Sequence, residues 1–125
     1  MKTETLAGAA FTIYTPEEVH EKIGSHEIVV IDVRTAAEYA FEHLSQALLF
    51  PMSIFDPANL PGQEGKPIVL HCGSGKRSHA MAELCAKSGF RRIAHMDGGF
   101  GAWKAAKLPY KAIDPHTGSL VLRNG

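Results

Sequence analysis

The segment from Cys72 to Arg77 brings one nucleophilic side chain, two glycines and two cations together within six residues, C-G-S-G-K-R. Glycine permits backbone conformations with positive φ, so a turn of this composition can point its amides inward and form a nest for an anion. A helix that begins at the turn adds the positive end of its dipole, and such surroundings lower a cysteine pKa to roughly 3.5–7.5. The segment therefore predicts a thiolate nucleophile at Cys72. The residues expected around its substrate are Gly73, Ser74, Gly75, Lys76 and Arg77.

Two kinds of cysteine chemistry fit such a turn. Cysteine phosphatases place five residues between the cysteine and an arginine, whereas four separate Cys72 from Arg77 and the next residue is Ser78. A tighter ring of amides leaves less room for a tetrahedral phosphate but can surround a single terminal sulfur. The spacing favours sulfur transfer. A phosphatase or arsenate reductase with the same loop, and a non-catalytic binding module, are the alternatives.

The flanking elements must position this turn at one end of a sheet. Apolar runs rich in β-branched residues predict buried strands, and Thr-x-x-Glu capping boxes predict helix starts at Thr15 and Thr35. Their alternation predicts an α/β domain with a central, mostly parallel sheet of about five strands, flanked by helices on both faces. Ligands of such folds bind at the carboxyl ends of the strands, where Cys72 falls. Strands are expected at 28–33, 47–50, 68–71 and 93–96, and helices from 15, over 35–43 and 77–88, and after 97–99.

Length and composition bound the remaining possibilities. The chain has 125 residues, 45% of them apolar and 21% charged, which predicts one globular domain over 1–125, with a core of about 14–109 and a tail of 110–125. The sequence shows no apolar run of membrane-spanning length and no secretory signal, so we expect a cytoplasmic protein. Its two cysteines and seven histidines show no metal-ligand spacing. We therefore expect no metal.

The charges are balanced in total but divided along the chain. The formal net charge is zero, which argues against nucleic acid and membrane surfaces as partners. Residues 1–65 hold 3 basic and 10 acidic side chains and residues 66–125 hold 10 and 3, giving −7 and +7. Either the two halves intermix in the fold, or a positive field around the second half favours an anionic substrate.

Three segments together resemble the rhodanese family of sulfurtransferases, and the resemblance covers nearly the whole chain. Besides the loop, they are Val30 to Arg34, with Asp32 and Arg34 followed by an E-Y-x-x-x-H segment, and a G-G-x-x-x-W signature from Gly98 to Trp103. They stand in the family's order and spacing. One departure is Ser45 to Ala47, where the family usually includes Pro-Gly.

The resemblance implies a persulfide mechanism. Cys72 would take sulfane sulfur from a small anionic donor such as thiosulfate and pass it to cyanide or a thiol, including a thioredoxin-like or other sulfur-relay protein. No metal or organic cofactor is implied. Asp32 and Arg34 would support the loop structurally, with Arg34 paired to Glu38 or Glu42 on the following helix. Gly98, Gly99 and Trp103 are expected to serve the turn and the packing.

Three other side chains have two interpretations each. Cys85 lies on an apolar helical stripe and is expected to be a packing residue, the alternative being a resolving thiol. His71 adjoins Cys72, but successive strand residues face opposite ways, which favours a structural role over that of a base. Ser74 is either a plain loop residue or a hydrogen-bonding partner of the substrate. The sequence does not place His43 and His79.

Overall fold

The fold comes from a computed structural model that describes residues 1–125, and strands and helices alternate along most of it. Short 3₁₀ turns at Met52–Ile54 and Pro57–Asn59 fill the glycine- and proline-rich segment that the sequence predicts as a loop. The elements are β1 (Lys2–Leu6), β2 (Ala9–Tyr14), α1 (Pro16–Gly24), β3 (Val29–Asp32), α2 (Ala36–Phe41), β4 (Glu42–His43), β5 (Leu48–Leu49), β6 (Ile68–His71), α3 (Lys76–Lys87), β7 (Arg92–Met96), α4 (Gly99–Ala105), β8 (Pro109–Ile113) and β9 (Leu120–Asn124).

The central sheet has six strands in the order β1-β2-β7-β6-β3-β5. Every neighbouring pair is parallel except β1 with β2, so the prediction of a mostly parallel α/β sheet is confirmed. Strands β1 and β2, which form a hairpin, are not among the four strands that the sequence analysis placed. Ala7 and Gly8 connect them with φ of 47° and 86°, as a two-residue turn with both central residues at positive φ requires.

Helices cover both faces of this sheet, as predicted. Helices α1 and α4 lie against one face, where Val19, Phe100 and Trp103 join a cluster of thirteen buried apolar residues. Helix α3 lies against the other, where Ala82 and Cys85 join a cluster of nine. Burial on both faces explains why the inner strands β3 and β6 are apolar up to their last residues, Asp32 and His71. None of the four helices has the length and apolar character needed to cross a bilayer.

Local signals account for most helix ends. The side chains of Thr15 and Thr35 accept the amides of Glu18 and Glu38, and both capping boxes are complete. Helix α2 ends at Phe41, earlier than expected, because the chain continues into the two-residue strand β4. The sequence predicts a strand over 47–50, but only its two central residues, which form β5, pair with the sheet. Helix α3 begins and ends within one residue of its predicted limits.

The last seventeen residues extend the fold. Strands β8 and β9 form an antiparallel hairpin, and β8 pairs with β4 in a second, three-stranded sheet. Tyr110 and Ala112 are buried in the main cluster, and the Trp103 indole donates to the Pro109 carbonyl at 3.0 Å. The packed core therefore continues past residue 109, where the sequence placed the start of a tail.

Candidate active site

Cys72 stands at the carboxyl end of β6, between the neighbouring strands β3 and β7. The chain then turns through residues 72–77, hereafter the Cys72 loop, into α3. Gly75 is the N-cap of α3 and has φ of 103°, so the left-handed conformation expected of a loop glycine is present there. Gly73, expected to share it, is not among the positive-φ residues. The Cys72 side chain is completely buried.

Two backbone amides and one hydroxyl surround the Cys72 sulfur. The amides of Gly75 and Ser78 donate to Sγ at 3.1 and 3.3 Å, and the Cys72 thiol donates to the Ser78 hydroxyl oxygen at 3.6 Å. Burial alone would raise the pKa of this thiol, but the amide and hydroxyl of Ser78 and the amides of Ser74 and Gly75 hold the pKa below its ordinary value. The arrangement therefore favours a thiolate.

Ser78 is a contact that the sequence analysis did not single out. It follows the six-residue motif, at the third position after the Gly75 N-cap. Amides of the first helical turn have no partner within the helix, so one of them is free to bind an anion held at the N-terminus. The position of Ser78, three residues after the glycine that begins the helix, could therefore have indicated this contact from the sequence.

The N-terminus of α4 holds the outer side of the Cys72 loop. The amide of Phe100 donates to the Cys72 carbonyl at 2.7 Å, and the amide of Gly101 donates to the Gly73 carbonyl at 3.0 Å. Gly99 lies so close that an added Cβ would stand 2.4 Å from the Cys72 carbonyl oxygen. These contacts fix two loop carbonyls against α4. Gly99 therefore does more than make the turn expected of it.

The two cations of the loop have different surroundings. Arg77 forms a two-pronged ion pair with Glu38, with N···O distances of 2.8 and 3.0 Å. This hydrogen bonding lowers the pKa of Glu38 to about 2, against the opposing effect of its partial burial. The guanidinium also lies beside Gly73, where a Cβ would be 3.3 Å from Nη2. Lys76 forms no ion pair and is the loop's free cation.

Asp32 and Arg34 form a buried ion pair beneath this end of the sheet. The Arg34 guanidinium donates to both carboxylate oxygens of Asp32 at 2.8–3.1 Å and to the Glu42 carbonyl oxygen at 2.7 Å. It also lies 4.6 Å from the centre of the Phe100 ring. Neither side chain has a hydrogen bond to Cys72, so a supporting role is the one that this geometry favours.

The expectation that Arg34 pairs with the carboxylate of Glu38 or Glu42 was wrong. Glu38 is bound to Arg77, and the carboxylate of Glu42 binds Lys104 at 2.9 Å. The carboxylate that pairs with the Arg34 guanidinium is instead that of Asp32, two residues earlier in the sequence.

The other cysteine and the histidines that the sequence left open occupy distinct places. Cys85 is buried in the apolar cluster beneath α3, and burial raises the pKa of its thiol to about 12, which suits packing and not exchange chemistry. His71 is completely buried, its Nδ1 is 3.4 Å from the Cys72 carbonyl oxygen, and burial lowers its pKa. His43 stacks on Tyr39 at 4.0 Å.

A cleft of about 440 Å³ opens beside the Cys72 loop. Its wall is polar and carries charges of both signs, and one side of it comes from β1. No group of three or more His, Cys, Asp or Glu side chains in the chain is arranged to hold a metal ion. The lining residues are Lys2, Glu4, Ile13, Ser74, Gly75, Lys76, His79, His95 and Asp97.

Stability is expected to fall as the pH drops from about 6.5 to about 4. Burial foremost, and then His79, lowers the pKa of His95 from 6.5 to about 4, so the unfolded chain binds more protons than the folded one in that window. Above pH 6.5 the neutral form of His95 contributes its full stabilisation, and this contribution, about 3 kcal/mol, is lost as the pH falls through 4. Urea unfolding at several pH values in this range measures the loss of stability. The loss should be smaller in His95→Asn than in wild type. It should equal that of wild type in His116→Asn, which alters an exposed histidine.

Comparison with known proteins gives the class that this fold and site define. The family model of the rhodanese-like domain matches residues 15–106, and the chain belongs to that family. Four strands, β1, β2, β8 and β9, lie wholly outside the matched range.

Two curated relatives and one solved structure illustrate the similarity. A thiosulfate sulfurtransferase GlpE of Coxiella burnetii is 31% identical over 88 residues, 70% of this chain and 82% of that one. An uncharacterised protein of Synechocystis is 35% identical over 94 residues, 75% of this chain, and the match spans about half (52%) of that relative's length. A rhodanese-related protein of Thermoplasma volcanium has the same fold, with a TM-score of 0.68, 22% identity, and 79% and 96% of the two chains covered.

Proposed function

We propose that this protein is a sulfurtransferase that carries sulfane sulfur as a persulfide on Cys72. The observation that carries the proposal is the set of polar groups around a buried sulfur: two backbone amides that donate to Sγ at 3.1 and 3.3 Å, and the Ser78 hydroxyl at 3.6 Å, which can donate once the thiol is ionised. The same donors that favour the thiolate can stabilise the anionic outer sulfur of a persulfide. The thiosulfate sulfurtransferase name of the Coxiella relative supports the same reaction class.

The reaction has two balanced steps. In the first, the Cys72 thiolate attacks the outer sulfur of thiosulfate, the Sγ–S bond forms, and sulfite leaves with the electron pair of the broken S–S bond. In the second, cyanide or a thiolate attacks that outer sulfur and the Sγ–S bond breaks. Thiocyanate or a new persulfide leaves, and Cys72 returns as the thiolate.

Burial of Cys72 favours this reaction over phosphate-ester hydrolysis. The sulfur has no exposed surface, so a donor must reach it within the ring of loop amides. A single terminal sulfur is small enough to enter such a ring, whereas a tetrahedral phosphate needs space on every side. We therefore expect hydrolysis of an aryl phosphate to remain at background.

The compartment and the acceptor follow from the same chemistry. Both cysteines are free thiols, and a thiol acceptor needs reducing surroundings, so we propose a cytoplasmic location. A polar cleft beside the loop suits a small anionic donor, and we propose that a thiol of a sulfur-relay protein approaches the outer sulfur from the open side of this cleft.

Lys76→Ala is expected to raise KM for thiosulfate about fivefold with a smaller change in kcat. Lys76 is exposed, lines the cleft and has no acidic partner, so its charge attracts the donor before the reaction, an effect of about 1 kcal/mol between charges in water. Steady-state assays at two salt concentrations measure KM, and the difference in KM between wild type and Lys76→Ala should be smaller at the higher salt concentration. Lys87→Ala is the matched control, because Lys87 lies at the far end of α3. An equal effect in both variants would contradict the expectation.

Intact-protein mass spectrometry after incubation with thiosulfate tests the proposed function. Wild type should gain one sulfur that cyanide removes, Cys72→Ser should gain none, and Cys85→Ser should behave as wild type. If wild type gains no sulfur from thiosulfate, glutathione persulfide is supplied as donor. A gain there identifies another donor, while no gain from either donor rejects the persulfide mechanism and favours a phosphatase-like or binding role.

A further inference from the structure

The Ser78 hydroxyl is a shared group whose single proton has several possible acceptors. Its oxygen lies 2.9 Å from His95 Nδ1, 3.2 Å from the Gly75 carbonyl oxygen and 3.6 Å from the Cys72 sulfur. A hydroxyl donates one hydrogen bond at a time and accepts two. Whether it supports a thiolate at Cys72 therefore depends on what its other neighbours do.

Besides Cys72 itself, His95 is the neighbour that can change between donor and acceptor. Its ring is on β7, is 4% exposed and lies 4.9 Å from the ring of Phe11, which fixes it between the sheet and the Cys72 loop. Burial keeps the imidazole neutral near pH 7, because it lowers the pKa to about 4. A neutral imidazole carries its proton on either nitrogen, so Nδ1 can be a donor or an acceptor.

We propose that His95 is a positioning residue that directs the Ser78 hydroxyl onto the Cys72 sulfur. While Cys72 is a thiol, its proton can point to Ser78 Oγ, whose own proton points to Nδ1. When Cys72 ionises, the thiol proton passes to Oγ and the hydroxyl proton to Nδ1, while Nε2 releases its own proton to the solvent of the cleft that His95 lines, so the ring stays neutral. Nδ1–H then donates to Oγ, and the hydroxyl donates to the negative sulfur, a stronger acceptor than the Gly75 carbonyl. This inference rests on the proposed function, in which Cys72 is the nucleophile.

Other titratable groups face His95 from the elements around it, and they define the control. The titratable ring nearest to His95 is that of His79 on α3, with ring centroids 5.9 Å apart and no hydrogen bond to Ser78. His79→Asn therefore alters a histidine of the same cleft without touching the contact. The other charged groups that line this cleft are Lys2 and Glu4 on β1, Lys76 on α3 and Asp97 after β7.

The test is the pH profile of Cys72 alkylation by iodoacetamide, measured on the Cys72 peptide by mass spectrometry so that Cys85 does not contribute. His95→Phe keeps an aromatic ring but removes Nδ1, and we expect the midpoint to rise by about one pH unit. His95→Asn can place an amide where Nδ1 was and should restore most of the wild-type midpoint. A packing role predicts the reverse order, because Asn is smaller than Phe. His79→Asn should stay near wild type.

A second variant separates an effect through Ser78 from a direct one. Ser78→Ala should raise the midpoint, and adding His95→Phe to it should raise it no further. Additive shifts, an equal shift in His79→Asn, or an unchanged midpoint in His95→Phe would each overturn the proposal. Because alkylation needs no sulfur donor, failure of sulfur transfer with these shifts intact would reject the proposed function and leave the role of His95 standing.

Discussion

Gly99→Ala should abolish most of the activity and lower the free energy of unfolding by about 2–4 kcal/mol. An added Cβ would stand 2.4 Å from the Cys72 carbonyl oxygen and 2.6 Å from the Gly73 carbonyl carbon, both backbone atoms that no side-chain rotation can move away. The residue also has φ of 60°, which favours glycine. The Cys72 loop must shift, and a displacement of about 1 Å at a reacting group costs roughly 100-fold in rate. Thiocyanate formation and urea unfolding measure the two effects.

Two other glycines supply controls for this substitution. Gly101→Ala places a Cβ 3.4 Å from the Gly73 carbonyl oxygen, an ordinary contact, and should keep most of the activity. Gly8→Ala introduces a side chain at φ of 86° with nothing within 4 Å, so it shows the conformational cost without a clash. Activity in Gly99→Ala as high as in Gly101→Ala would show that the loop does not depend on close contact with α4.

Arg34→Ala is expected to destabilise the fold by about 3–5 kcal/mol, because it leaves the Asp32 carboxylate buried without its cation. It also removes the donor to the Glu42 carbonyl oxygen. Chemical denaturation measures the loss, which should be far larger than for Lys87→Ala, whose ion pair with Glu83 is exposed.

Removing both charges distinguishes an uncompensated charge from lost packing. Asp32→Asn combined with Arg34→Met keeps similar volumes without ions, and its loss should be smaller than the sum of the two single losses. Strict additivity would mean that the pair contributes through packing alone. If Arg34→Ala lowered the free energy of unfolding by less than about 1 kcal/mol, the buried pair would contribute no more than an exposed ion pair does, and the prediction would be wrong.

Patterns that depend on neighbouring residues predicted much of the fold. The capping boxes at Thr15 and Thr35 and the strand at Ile68–His71 need only local propensity and burial, and the structure has them at or near the expected positions. The same holds for the place of Cys72 between a buried strand and a helix N-terminus. Order and spacing of three motifs then indicated the family, which the match over residues 15–106 shows.

What the sequence did not predict depends on contacts between distant segments. Strand β1 is mostly exposed and polar, and only its pairing with β2 makes it part of the sheet. The partner of Arg34 was misjudged because two acidic side chains on the next helix were equally plausible by spacing. The meeting of Ser78 with His95, 17 residues apart, depends on how α3 crosses β7. Whether Gly73 to Arg77 bind the substrate stays a prediction.

One wall of the cleft comes from the edge strand β1, and this affects which residues of the cleft can change during evolution. Lys2 and Glu4 are exposed side chains on an edge strand, outside the matched residues 15–106, and backbone pairing with β2 holds the strand. Exposed side chains of this kind are exchanged with little cost to folding. If the proposed function holds, selectivity for the sulfur donor can evolve on β1 by single substitutions, while the hydrogen bonds around the Cys72 sulfur are kept unchanged.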